Sequence, residues 1–124
     1  MSQECCCSNE STMILACSGG SNVGQLSNQA AVDLTREGVG RMFCLAGIGG
    51  QLSGFVRSAG EVENLVVIDG CQVGCAKTIL ENNGIVSHNY TIITDLGIEK
   101  TKDFNLSPAD LETVKTEVKQ SLNT

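Results

Sequence analysis

The chain has 124 residues and a formal net charge of −6, from 8 basic and 14 acidic side chains. With no basic cluster it offers no footprint for nucleic acid or an anionic membrane surface, and no apolar run approaches the ~18 residues of a membrane span. Hydrophobic residues make up 41% but aromatic residues only 3%, so one domain's core must be built from Val, Ile, Leu and Ala.

Residues 1–10 are polar, carry Cys5, Cys6 and Cys7, and read as a mobile tail ahead of a single domain over 11–124. They lack the basic start and apolar stretch of a secretory signal, which predicts a cytoplasmic protein. A first strand spans 12–17. The loop Ser18-Gly19-Gly20-Ser21-Asn22 leads into a helix over 22–37 with Val23, Leu26, Ala30 and Leu34 on one face. Gly38 is placed to end that helix in a left-handed cap.

A short second strand over 41–46 precedes Gly47-Ile-Gly-Gly50 and a shorter helix that turns Leu52, Phe55 and Val56 inward. The third strand, 64–69, is apolar throughout, as a strand covered on both faces must be. From Cys71 a helix runs to about Asn83, apolar at Val73, Ala76, Ile79 and Leu80, with Gly84 as its stop. His88 to Leu96 reads as a fourth strand around the β-branched Thr91-Ile-Ile-Thr94. In the last helix Ser107 caps, Pro108 takes the first position and Asp110 the third, Leu106 and Leu111 form a staple, and Leu111, Val114, Val118 and Leu122 make the buried stripe. Strands alternating with helices define an α/β three-layer sandwich, flavodoxin- or Rossmann-like, with a mostly parallel four-stranded sheet of order 2-1-3-4.

Seven cysteines cannot all pair internally, and in a reducing compartment clustered thiols serve metals or catalysis. Cys17, Cys44 and Cys71 are separated by 27 residues each, about one βαβ unit. Parallel strands would deliver all three to the carboxyl edge, where open α/β sheets place their sites. Cys75 follows Cys71 at the spacing of one helical turn, which would put both sulfurs on one helix face. Four thiolates suit tetrahedral zinc or an iron–sulfur cluster, and the sequence does not separate the two. A thiol redox enzyme in which Cys17 attacks and a second cysteine resolves is the other chemistry open to such a set.

The remaining candidates each carry two readings. The Ser18–Asn22 loop is either an anion cradle at a helix start or a tight βα turn. It lacks the Gly-Lys-Ser/Thr ending of a Walker loop, and Val23 stands where a Cys-x5-Arg phosphatase needs arginine. Asp69 suits a helix-start role better than that of a general base. Lys77 is either a charge partner of the cysteines or an exposed helix lysine. His88, the lone histidine, falls at the amino edge of the sheet, away from the cysteines, so a Cys–His pair has no base.

Ala16-Cys17-Ser18-Gly19-Gly20, the lone Cys44 and Val67-Ile-Asp-Gly-Cys71-x3-Cys75-Ala76 together resemble the DGC domain family, named for its Asp-Gly-Cys tripeptide. The resemblance covers about residues 12–96. It implies a zinc-binding protein with Cys17, Cys44, Cys71 and Cys75 as ligands, and it implies no particular activity. Cys5, Cys6 and Cys7 fall outside that set.

Overall fold

The computed structural model describes residues 11–123. Four strands form one sheet: β1 (Thr12–Ala16), β2 (Arg41–Met42), β3 (Asn64–Asp69) and β4 (Asn89–Ile92). All pair in parallel, in the order β2-β1-β3-β4 expected of the alternating strands and helices. Among the described residues five α-helices accompany them: α1 (Asn22–Arg36), α2 (Leu45–Gly49), α3 (Ser53–Glu61), α4 (Cys75–Asn82) and α5 (Pro108–Leu122).

Two cores, one on each face, follow from the alternation of side chains along a strand. Ile14, Ala16, Val66 and Ile68 face α1 and α5, meeting Leu26, Leu34, Val114 and Val118. Met13, Leu15, Leu65 and Val67 face the other way, onto Ile48 of α2, Ala59 of α3 and Ala76 and Leu80 of α4. The result is the three-layer α/β sandwich. The central pair runs in register from Thr12 beside Asn64 to Ala16 beside Ile68, so Cys17 and Gly70 emerge together at the carboxyl edge.

Local signals set the helix ends. Ser21 Oγ accepts the Gly24 amide at 3.1 Å to start α1, and Gly38, at φ 83°, closes it. Ser107 Oγ accepts the Asp110 amide at 3.2 Å to start α5, with Pro108 at its first position. Leu106, Leu111 and Leu122 pack against the core that Val114 and Val118 enter.

The chain departs from the sequence expectations in four places. Strand 41–46 shrinks to Arg41–Met42, because Cys44 turns the chain into α2; nothing in Met-Phe-Cys-Leu is β-branched to hold an edge strand. Where one short helix is expected there are two, joined at Gln51 with φ 60°, and this leaves Leu52 outside at 55% exposure while Phe55 and Val56 pack inward. The helix expected from Cys71, α4, begins instead at Cys75: Gly74, at φ 68°, is left-handed and closes a turn on the Cys71 carbonyl. Val73 is therefore 68% exposed instead of buried, and Cys71 and Cys75 do not share a helix face. The fourth strand ends at Ile92, after which Ile93–Leu96 tightens into a 3-10 turn that ends on left-handed Gly97.

Lys115, nearly buried between α1 and α5, reaches Glu37 at 2.6 Å, Glu112 at 3.2 Å and Asp33 at 3.4 Å, while Lys119 reaches Glu37 at 2.7 Å. Hydrogen bonds from Lys115 and then Lys119 hold the Glu37 carboxyl below its ordinary value of 4.5. The folded state thus binds this proton more weakly than the unfolded chain does. Its contribution is complete above that value and is lost as pH falls through the folded one. The Lys115 ammonium is pushed upward, chiefly by Glu37, so its side of the pair persists through neutral pH and is lost only in strong alkali. Glu37→Gln is expected to lower Tm modestly at neutral pH, since solvent screens a half-exposed pair, and to flatten the acid limb of a Tm-against-pH curve. The variant and parent curves should converge at low pH; parallel curves would assign that limb to other carboxylates.

Candidate functional site

The carboxyl edge gathers what the spacing predicts. Cys17 follows β1 directly, Cys44 lies two residues past β2, and Cys71 lies two past β3. A cavity of about 230 Å³ opens there between the β1–α1 and β3–α4 loops, and Cys17, Cys71 and Cys75 all line it. Cys44 sits at the same edge but outside that lining, exposed at the start of α2. Cys17 is buried, Cys71 half-buried and Cys75 exposed, and all four are free thiols. Cys5, Cys6 and Cys7 lie outside the described residues.

Glycines make the approach possible. A Cβ on Gly70 would stand 2.8 Å from the Val23 carbonyl carbon and 2.9 Å from the Gly24 nitrogen. One on Gly24 would stand 2.6 Å from the Gly19 oxygen. The β3–α4 turn, the first turn of α1 and the Ser18–Asn22 loop are thus in backbone contact, as only glycine allows. That is why Cys17 and Cys71 face one space.

Asp69 organises the floor. It is 1% exposed, its Oδ1 accepts the Ala76 amide at 2.9 Å, and its Oδ2 accepts the Lys77 amide at 3.1 Å and the Tyr90 hydroxyl at 2.7 Å. This is the helix-start role, with both oxygens in use. Burial first, and then the Asp69 hydrogen bond, pushes the Tyr90 phenol above its ordinary value. Tyr90 is a residue the sequence reading missed. Lys77 is exposed on α4 and lies 5.5 Å above the Tyr90 ring, and it does not line the cavity. His88 accepts the Leu65 amide on Nδ1 at 2.8 Å, at the amino end of β3 and thus at the edge opposite the cysteines.

The glycine loop divides by function. Ser21 spends its hydroxyl on the α1 amide of Gly24 and Ser18 accepts from Gln25 at 3.3 Å, the behaviour of a βα turn. Gly19, Gly20 and Ser21 also line the cavity. Asn22 holds the segment before α5, donating to the Glu99 carbonyl at 2.8 Å and accepting the Thr101 amide at 2.6 Å. That segment brings two lysines absent from the sequence reading. Lys100 Nζ donates to Cys71 Sγ at 3.3 Å, and Lys102 Nζ donates to the Gly20 carbonyl at 2.7 Å. The alternation Lys100-Thr-Lys102 was visible, but nothing local says which loop it covers.

Burial pushes the Cys17 thiol up, and backbone hydrogen bonds at Gly19 and Gly70 offset this only in part. A raised thiol is a poor nucleophile at neutral pH, which weighs against Cys17 as an attacking group. As a donor set, soft thiols on one wall suit zinc in kind. Yet among the described residues no three His, Cys, Asp or Glu side chains stand close enough together to hold one ion.

A parallel α/β domain with thiols on the carboxyl-edge loops and an Asp-Gly-Cys turn beneath them is the class of protein these features define. Residues 13–118 match the DGC domain, and the chain belongs to that family. It is similar to the anaerobic and virulence modulator AnvM of Pseudomonas aeruginosa, with 32% identity over 110 residues that cover 89% of this chain and 84% of that protein. No solved structure matches it. No helix among the described residues is long and apolar enough to cross a membrane.

Proposed function

We propose that this DGC-family protein binds zinc through Cys17, Cys71 and Cys75, with Cys44 as the fourth ligand. The observation that carries the reading is the lining of one cavity by three thiols, from the β1–α1 loop, the β3–α4 turn and the start of α4. The exposed positions of Cys44 and Cys75 leave both side chains free to be drawn inward, and the left-handed Gly74 is a natural pivot between Cys71 and Cys75. Zinc there would tie the loops after three strands to one point, so binding energy would become folding energy. AnvM is named as an anaerobic and virulence modulator. A regulatory role fits a thiol site near the surface, because oxidation of its ligands would release the metal.

The test is elemental analysis of anaerobically purified protein together with its absorption spectrum. About one zinc per chain, falling at least tenfold in occupancy in Cys71→Ser and Cys17→Ser variants that keep a parental circular dichroism spectrum, is the expected result. A chelator should lower Tm in the parent and leave the variants unmoved. Iron with visible charge-transfer absorption would replace zinc by a cluster. Metal-free protein with reactive thiols would sink the metal reading in favour of thiol chemistry, for which Cys71, in contact with Lys100, is better placed than Cys17.

A further inference from the structure

We infer that the carboxyl-edge cavity also receives a small oxyanion, held between the ammonium groups of Lys100 and Lys102. The inference deepens the proposed site, yet it rests on the lysine ammonium groups, and its test is separate from that of zinc.

The charge pattern carries it. The chain is acidic, with only 8 basic residues, and two of them line one cavity of about 230 Å³. Among the described residues the ion pairs are made by Lys115 and Lys119 with Asp33, Glu37 and Glu112. Lys100 and Lys102 have no carboxylate partner within that set. Their contacts inside the protein are a sulfur, Cys71 Sγ at 3.3 Å, and a neutral carbonyl, Gly20 O at 2.7 Å. An ammonium has three donors, so each lysine retains two for a ligand.

Their position is enforced. Three hydrogen bonds tie Asn22 to the lysine segment: Asn22 N to the Thr101 carbonyl at 3.0 Å, Asn22 Nδ2 to the Glu99 carbonyl at 2.8 Å, and the Thr101 amide to Asn22 Oδ1 at 2.6 Å. An asparagine engaged in this way fixes the chain on both sides of Thr101, and so both lysines at the cavity mouth. The one carboxylate in the lining, Asp69, makes no ion pair with either lysine; its oxygens accept the Ala76 and Lys77 amides and the Tyr90 hydroxyl instead. The caps at Ser21 and Asp69 likewise use helix amides, so the charge available to a ligand is that of the lysines.

The volume bounds the ligand. Drug-sized pockets begin near ~300 Å³, and this cavity is smaller, so the fitting class is a carboxylate or an inorganic oxyanion of a few heavy atoms. Its place beside Cys71 puts that anion against the thiol wall. Charge-assisted hydrogen bonds of this kind set both affinity and orientation.

The experiment is titration with sodium sulfate, phosphate, acetate and succinate at constant ionic strength, followed by amide chemical shifts. It is run on protein as purified and again after chelator treatment. Saturable shifts at Gly20, Cys71 and residues 100–102 are expected. Lys102→Gln should weaken binding about tenfold, while Lys102→Arg retains it, and Lys77→Gln, outside the cavity, should leave it unchanged. Saturation by succinate or acetate alone assigns a carboxylate, and saturation by sulfate or phosphate assigns an inorganic oxyanion; either supports the site. Non-saturable shifts with all four salts, or equal affinities in Lys102→Gln and Lys77→Gln, overturn it. Saturable binding by zinc-free protein sustains this inference even if the metal analysis fails.

Discussion

Replacing Asp69 by alanine is expected to cost the fold about 3–4 kcal/mol, the largest single effect at this site. Two effects compete. A lone carboxylate at 1% exposure with no cation in contact is costly to desolvate, so its removal recovers some energy. Against that, truncation strands the Ala76 and Lys77 amides and the Tyr90 hydroxyl, three donors that now meet charged acceptors at 2.7–3.1 Å. Each bond to a charged acceptor is worth ~1.5–3 kcal/mol, and the stranded groups bear their own desolvation cost. Three such losses outweigh one recovered charge.

Asp69→Asn keeps the shape and the Ala76 bond but turns an NH2 group toward the Lys77 amide, so a loss of about half is expected. Urea denaturation of the two variants beside Tyr90→Phe measures this directly. An alanine variant within ~1 kcal/mol of the parent would mean that the carboxylate does not hold the start of α4.

Gly24→Ala should lose about 2–3 kcal/mol despite placing a better helix former inside α1. Propensity alone favours alanine by up to ~1 kcal/mol. The methyl, however, would lie 2.6 Å from the Gly19 oxygen, 2.7 Å from its nitrogen and 2.8 Å from its carbonyl carbon. Those are backbone atoms of the loop that carries Cys17, and they cannot rotate away. Gly60→Ala provides the contrast within the same molecule. It lies in α3 with nothing within 4 Å of the added methyl, so the propensity term should stand alone and the variant be neutral or slightly stabilised. Equal effects from the two substitutions would show that contact at Gly24 relaxes at little cost.

Features of this protein that act locally or through topology are legible in its sequence, and those that depend on distant contacts are not. Strand order was readable because the constraint is topological: apolar runs at a βαβ spacing fit few arrangements, and the parallel one puts every strand's last residue at one edge. The ends of α1 and α5 were readable because Ser21, Gly38, Ser107 and Pro108 act within one turn of themselves. Asp69 as a helix-start residue was readable too, but its hold on Tyr90, 21 residues away, was not.

The errors share a cause. Cys71 and Cys75 have helical spacing, yet Gly74 adopts φ 68° and breaks the helix between them. A glycine's sequence neighbours do not fix its sign of φ; here the sign goes with the turn that closes on Cys71. Periodicity turns Leu52 and Val73 inward, yet both are exposed, because periodicity fails wherever a loop replaces a turn of helix. The layers, the strand order and the edge at which the cysteines collect are thus legible in the residues alone, because burial and handedness act on every α/β chain alike. Which thiols share a cavity, and whether Lys100 and Lys102 reach it, is settled by contacts made only in the folded chain. That choice depends on the glycine-to-glycine backbone contact at Gly19, Gly24 and Gly70 and on Asn22 gripping a segment 79 residues further along the chain.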